Sequence, residues 1–219
     1  MALRIAKTDG DTAPAGQVTL HVIRGGQIRR PSLLWRIKNA PNYWDGTLRV
    51  WLAKAAAKLT GCPVITSELR LRKFSEGHMI DYGVVGRKVV TTAGVNYLVD
   101  AFQNTTEVEN LKYHGFGTGA TAEAAADTAL VTELTTQYAT DNTRPTGTTT
   151  EGASANIYRT VATLDPDADV AITEHGVFSQ AATGGGTLWD RTLFSAINLS
   201  GAGGDTLEAT YDVTFTAGS

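Results

Sequence analysis

From Leu207 to Phe215 apolar and polar residues alternate without a break. Leu207, Ala209, Tyr211, Val213 and Phe215 fall on one side, and Thr206, Glu208, Thr210, Asp212 and Thr214 on the other. Successive side chains of an extended chain point to opposite faces, so this run predicts a strand with one buried and one wet face. Two glycine-rich stretches precede it, Thr183-Gly184-Gly185-Gly186 and Ser200 to Asp205. Repeated glycine permits the positive φ of tight hairpin connections, and residues 171–215 therefore read as three antiparallel strands. Further upstream, Leu69 and Leu71 alternate with Arg70 and Arg72, Ser75-Glu76-Gly77-His78 makes a turn, and Met79 to Val90 returns. Gln17–Ile23, Leu111–Phe116 and Ile157–Leu164 are further strand candidates. The expected fold is mainly β, an antiparallel β-sandwich or jelly-roll-like domain of about six or seven strands in its β-rich part.

Helical periodicity is sparse. Asp45 to Leu59 is the clearest case: Asp45 caps it, Gly61 and Pro63 end it, and Leu48, Trp51, Leu52, Ala55 and Leu59 form one apolar stripe. That stripe is expected to dock, leaving Arg49, Lys54 and Lys58 in water. Pro31, Asn39 and Pro41 are expected to interrupt any longer helix, so residues 27–37 read as an extended segment hugging the surface. A second short helix follows Thr91 or Thr92, its stripe of Val95, Leu98, Val99 and Phe102 expected to plug the sheet. The Ala- and Glu-rich stretch Thr121–Leu134 suggests a third, and Thr135–Glu151 a long loop. The chain thus divides into a basic N-terminal arm with its helix (about 45–59), residues 1–63, and a β domain, residues 64–219.

Charge sharpens this division. Residues 1–90 hold 15 Lys and Arg against 6 Asp and Glu, a balance of +9. Residues 91–219 hold 4 against 16, a balance of −12. Such asymmetry implies that the N-terminal part meets an acidic partner, either foreign or the acidic half of its own or a neighbouring subunit. Aromatic residues interleave with the cations, giving a candidate interface of Arg29, Arg30, Trp35, Arg36, Lys38, Tyr43 and Trp44. Single-stranded nucleic-acid sites use this mixture, but protein interfaces use the same anchors, and no nucleic-acid-binding fold signature accompanies it. The apolar runs fall short of a membrane helix, no secretion signal is expected at the N-terminus, and the single Cys62 excludes an internal disulfide framework.

The chemistry-bearing residues point to packing rather than reaction. Glu174 lies on the apolar face expected for the strand from Val170, and Arg191 faces it from the next strand, so the two are expected to form a structural ion pair diagonally across the hairpin. His21, His78, His114 and His175 show no metal-ligand spacing, and no cofactor site is expected. His114-Gly115-Phe116-Gly117-Thr118-Gly119 resembles a phosphate-cradling loop, but no Gly-Lys-Ser/Thr follows, and a tight turn is the simpler reading. No nucleophile elbow or paired-carboxylate signature suggests an enzyme.

Several runs in order resemble a family of tailed-bacteriophage virion proteins. They are Lys88 to Val95 (KVVTTAGV), His114 to Gly119 (HGFGTG), Asn156 to Thr163 (NIYRTVAT), Ala171 to Phe178 (AITEHGVF), Gly186 to Phe194 (GTLWDRTLF) and Gly204 to Leu207 (GDTL). The resemblance covers roughly Glu68 to Gly218 and rests on the ordered set. It implies a virion structural protein: a capsid cement or decoration protein, with a tail- or head-fibre-associated component as the alternative, while the charge of the basic half offers a nucleic-acid-binding protein as a third reading. The implied partners are the major capsid protein and further copies of the chain as dimer or trimer; no membrane is expected, and the basic, aromatic segment is read as a protein interface ahead of a nucleic-acid site. The implied location is the capsid surface after assembly in the host cytoplasm.

Overall fold

A computed structural model describes residues 27–217 apart from Glu76 and Lys88. The strand expected at Gln17–Ile23 lies outside the described residues. Among the described residues ten strands form two sheets. In chain order they are β1 (Gln27–Arg29), β2 (Val64–Ser75), β3 (His78–Arg87), β4 (Val89–Val90), β5 (Tyr113–Gly117), β6 (Thr148–Glu151), β7 (Ile157–Leu164), β8 (Val170–Phe178), β9 (Leu188–Leu199) and β10 (Thr206–Thr216). The larger sheet runs β1-β3-β2-β10-β7-β6 and the smaller β4-β9-β8-β5. Every pairing is antiparallel except the short β1–β3 ladder.

The alternating run read first in the sequence sits inside the larger sheet as β10, with Ala209 opposite both Leu71 of β2 and Ala162 of β7. Its apolar face meets the smaller sheet. Leu69, Leu71, Leu164, Leu207 and Ala209 pack on Phe116, Ile172, Phe194, Ile197 and Leu199, which makes the fold a sandwich. A second cluster continues the core through Tyr211, Val213, Val177 and Trp189 to Tyr97 and Leu111.

Both helices differ from expectation. α1 spans Leu33–Thr60 and carries Pro41 within it, so the stretch expected to be extended is strand at Gln27–Arg29 but helical from Leu33 on. The helix starts where the Ser32 side chain accepts from the Trp35 N–H, and it ends at Gly61 in the left-handed region, φ 70°. It docks by its small and polar side. Gly46 rests against Arg87, where a Cβ would stand 2.9 Å from the arginine's own Cβ. Buried Asn39 ties the sheets together, donating from Nδ2 to the Val85 carbonyl (2.8 Å) and accepting at Oδ1 from the Ser195 N–H (2.9 Å). The stripe expected to dock instead faces outward: Trp51 is 64 % exposed, Leu59 87 %, and Leu48 and Leu52 more than half.

α2 (Thr92–Phe102) is capped as expected, the Thr91 hydroxyl accepting from the Gly94 N–H at 2.9 Å. Gly94 allows the helix to lie on the Trp189 backbone. The buried side is Gly94 and Tyr97, while Phe102, expected in the core, is 81 % exposed.

Candidate functional site

The chain from Thr118 to Gly147 forms neither the helix expected at Thr121–Leu134 nor a free loop. It bridges to the edge strand β5 at Gly117–Glu133 and Tyr113–Thr146, sends Leu134 and Tyr138 into the inter-sheet core and lays Leu130 on Phe178 and Leu188, and two buried arginines hold it there. Arg191 of β9 pairs in register with Gly176, two residues beyond Glu174 on β8. The guanidinium Nε donates to Glu174 Oε2 at 2.8 Å, and both side chains are fully buried. Arg191 also reaches Asp127 (2.9 Å) and donates to the carbonyls of Thr121 (2.8 Å) and Ala122 (3.4 Å). Glu174 in turn accepts from the backbone N–H groups of Gly119 (3.0 Å), Val131 (3.2 Å) and Thr132 (2.8 Å). The backbone groups that a helix over 121–134 would pair internally are thus engaged by this ion pair. Burial alone would lower the Arg191 pKa, but the Asp127 and Glu174 carboxylates outweigh it and hold it above the ordinary arginine range.

Gly117 and Gly119 have their explanation in the same carboxylate. A Cβ on Gly117 would stand 2.6 Å from Glu174 Oε1. The loop that resembles a phosphate cradle does cradle an anion, and the chain supplies it.

Arg144 is the second anchor, and no periodicity in the sequence singles it out. Its guanidinium grips Glu133 with both ends of the fork (2.5 and 2.9 Å) and donates to the carbonyls of Gln180 (2.8 Å) and Gly185 (2.9 Å). It lies 3.5 Å over the ring of Phe178. Arg159, the remaining arginine of the acidic region, forms a bidentate pair with Asp212 across β7 and β10, both bonds 2.7 Å. All three arginines after residue 90 are therefore paired with carboxylates of the same chain, Arg191 and Arg144 buried and Arg159 half-buried.

The interior is polar in two further places. His114 Nδ1 and His175 Nε2 meet at 2.9 Å, both rings fully buried, and His114 Nε2 lies 3.2 Å from the Thr160 hydroxyl. The Trp189 indole donates to the Tyr211 hydroxyl at 2.5 Å beside buried Asp190. Burial first, then the Asp190 charge, pushes the Tyr211 phenol well above its usual pKa. These groups lie between the sheets, sealed from solvent. No cluster of three or more His, Cys, Asp or Glu with metal-binding geometry occurs among the described residues.

The candidate interface residues divide between surface and interior. Arg29, Arg30, Arg36, Lys38 and Trp44 are exposed, Trp44 at 65 %. Trp35 and Tyr43 instead turn inward. The Trp35 indole donates to the carbonyls of Ser195 (2.9 Å) and Ala196 (3.1 Å) and meets Tyr82 edge-on, while Arg87 lies 5.3 Å over the Tyr43 ring. Outward beside Trp44 lie the Leu34, Ile37, Leu48 and Trp51 side chains, an apolar strip along nearly the whole of α1. No helix among the described residues is long and apolar enough to cross a membrane. No family model, curated protein or solved structure matches this chain.

Proposed function

We propose that this chain is a structural protein of a tailed-bacteriophage virion, a cement or decoration component that binds the major capsid shell through its N-terminal part. The resemblance of residues 68–218 to that family supports the reading. The observation that carries it is where the charge goes. The acidic sandwich consumes its own three arginines in internal ion pairs, while Arg29, Arg30, Arg36 and Lys38 project into solvent from the opposite end of the sequence. A rigid body with an outward positive segment suits adhesion to acidic subunit surface. Many modest contacts repeated over a shell would brace it against packaged DNA. Particles lacking the protein should burst at lower temperature or milder osmotic shock than complete particles, and adding it back should restore the threshold. Equal thresholds would overturn the cement assignment.

A further inference from the structure

The two sides of α1 are both built for contact, and only one is used within the chain. Trp35, Asn39, Gly46, Val50, Ala53 and Ala57 face the sandwich. On the opposite side Leu34, Ile37, Pro41, Trp44, Leu48, Trp51 and Ala55 recur at intervals of three and four residues over three heptads. An apolar strip left open along the far side of a docked helix marks a surface that a partner covers.

The spacing identifies the occupant. A single docking site needs no fixed period, but a 3.5-residue repeat keeps one stripe facing a second helix of the same kind along its full length. Area agrees. The two tryptophans, 65 % and 64 % exposed, together leave about 300 Å² open at about 250 Å² each. With Leu34, Ile37, Leu48 and Leu52, each more than half exposed, the strip exceeds the few hundred Å² that monomers ordinarily show. It approaches the roughly 800 Å² per partner of a stable interface.

Charge agrees too. In a parallel, in-register pair the flanking positions that meet are Leu33 with Lys38, Ala40 with Asp45, Thr47 with Leu52, and Lys54 with Leu59. No like charges meet at these flanking positions, and the apolar repeat ends at Ala55, since the next core position is Lys58. The alternating residues Val18, Leu20 and Val22 repeat every two positions, a period that does not match this strip. A membrane-lying helix keeps a polar side in water, whereas the other side of α1 is docked on protein.

We infer that α1 is a homotypic coiled-coil seam: copies of this chain associate through parallel α1 helices, with Trp44, Leu48 and Trp51 at its centre. The association needs only the chain itself, so it stands or falls apart from any place in a particle.

Sedimentation of the purified full chain at micromolar concentration tests it. The wild type should run as a dimer or larger, and W44K/W51K as a monomer with the same far-UV spectrum. Exposed Cys62 lies two residues past the helix end, so a short bismaleimide should link Cys62 to Cys62 in the wild type and not in the double variant. An antiparallel pair would hold those thiols about 42 Å apart, the length of 28 residues at about 1.5 Å each. Should W44K/W51K lose the sandwich spectrum, Leu48→Glu alone replaces it. A monomeric wild type overturns the inference, including one that binds anionic vesicles or capsid protein through this strip. Oligomers that survive the substitutions overturn the seam, and oligomers without the Cys62 link overturn its parallel arrangement.

Discussion

Replacing Arg191 by leucine removes the cation from a carboxylate that remains fully buried. Glu174 keeps its three backbone N–H partners but loses its countercharge. Breaking a buried pair from one side costs about 3–5 kcal/mol, because the surviving charge is left uncompensated. The carbonyls of Thr121 and Ala122 also lose a donor, but both residues are exposed and regain water, adding little. For a chain of this length each kcal/mol shifts the melting temperature by about 2–4 °C, so R191L should melt about 6–20 °C lower. Glu174→Leu should be at least as costly, since three N–H groups lose their acceptor at about 1–3 kcal/mol for each that stays buried. The double variant removes both charges and should be less destabilised than the sum of the single effects. Urea and thermal unfolding followed by circular dichroism measure all four proteins. R191L melting within about 2 °C of wild type, or single effects that add within about 0.5 kcal/mol, would refute a coupled buried pair.

Three further outcomes follow from the same physics. R144K keeps the charge but not the fork that holds Glu133 and two carbonyls, so chymotrypsin should cut within residues 118–147 faster than in wild type, and equal cleavage would contradict the anchoring role. Burial raises the Asp205 pKa, but Lys73 (2.6 Å), the Ser75 hydroxyl and the Ser200 N–H bring it below the ordinary aspartate range. Its stabilisation is therefore fully present above about pH 4 and lost as pH falls through the lowered value. D205N should melt lower than wild type at neutral pH, with the gap closing in acid; a gap independent of pH would count against this. Burial first, then the charges of Asp205 and Glu109 respectively, pushes Tyr82 and Tyr158 up to about 12, and Tyr138 and Tyr211 are also raised. Because these folded values are raised, stability is fully present below about pH 10 and lost as pH rises through them. Phenolate absorbance from these four should appear only with alkaline unfolding, and their ionisation in the folded protein would contradict their burial.

What the sequence revealed, it revealed through period and neighbourhood. The alternation of β10 located its partners' common face, and the spacing of the β8–β9 hairpin brought Glu174 towards Arg191. Bulges were not legible. The register shifts between Ile172 and Glu174 and again between Val177 and Phe178, and one extra residue turns the following side chains to the other face. Ile172 therefore enters the inter-sheet core while Phe178 packs outside it with Leu130 and Leu188. Amphipathicity located the apolar stripe of α1 but not the side that docks, because docking uses Gly46, Asn39 and Ala57, which carry little hydropathy. Pro41 predicts a break, yet the helix runs through it with the proline on the exposed side, away from the docked face. Arg144 had no period to reveal it. A sparser signal existed in composition: only three arginines lie in a region with a balance of −12, and each one pairs with a carboxylate of that region.

The central claim, a structural role on the shell of a virion, is tested most directly by copy number in purified particles, measured by quantitative mass spectrometry against the major capsid protein. The account predicts a ratio near one, or a simple fraction such as one third, as symmetric decoration requires. A few copies per particle would contradict a shell-wide cement and move the protein to the tail or connector, and its absence from particles would contradict the virion assignment itself.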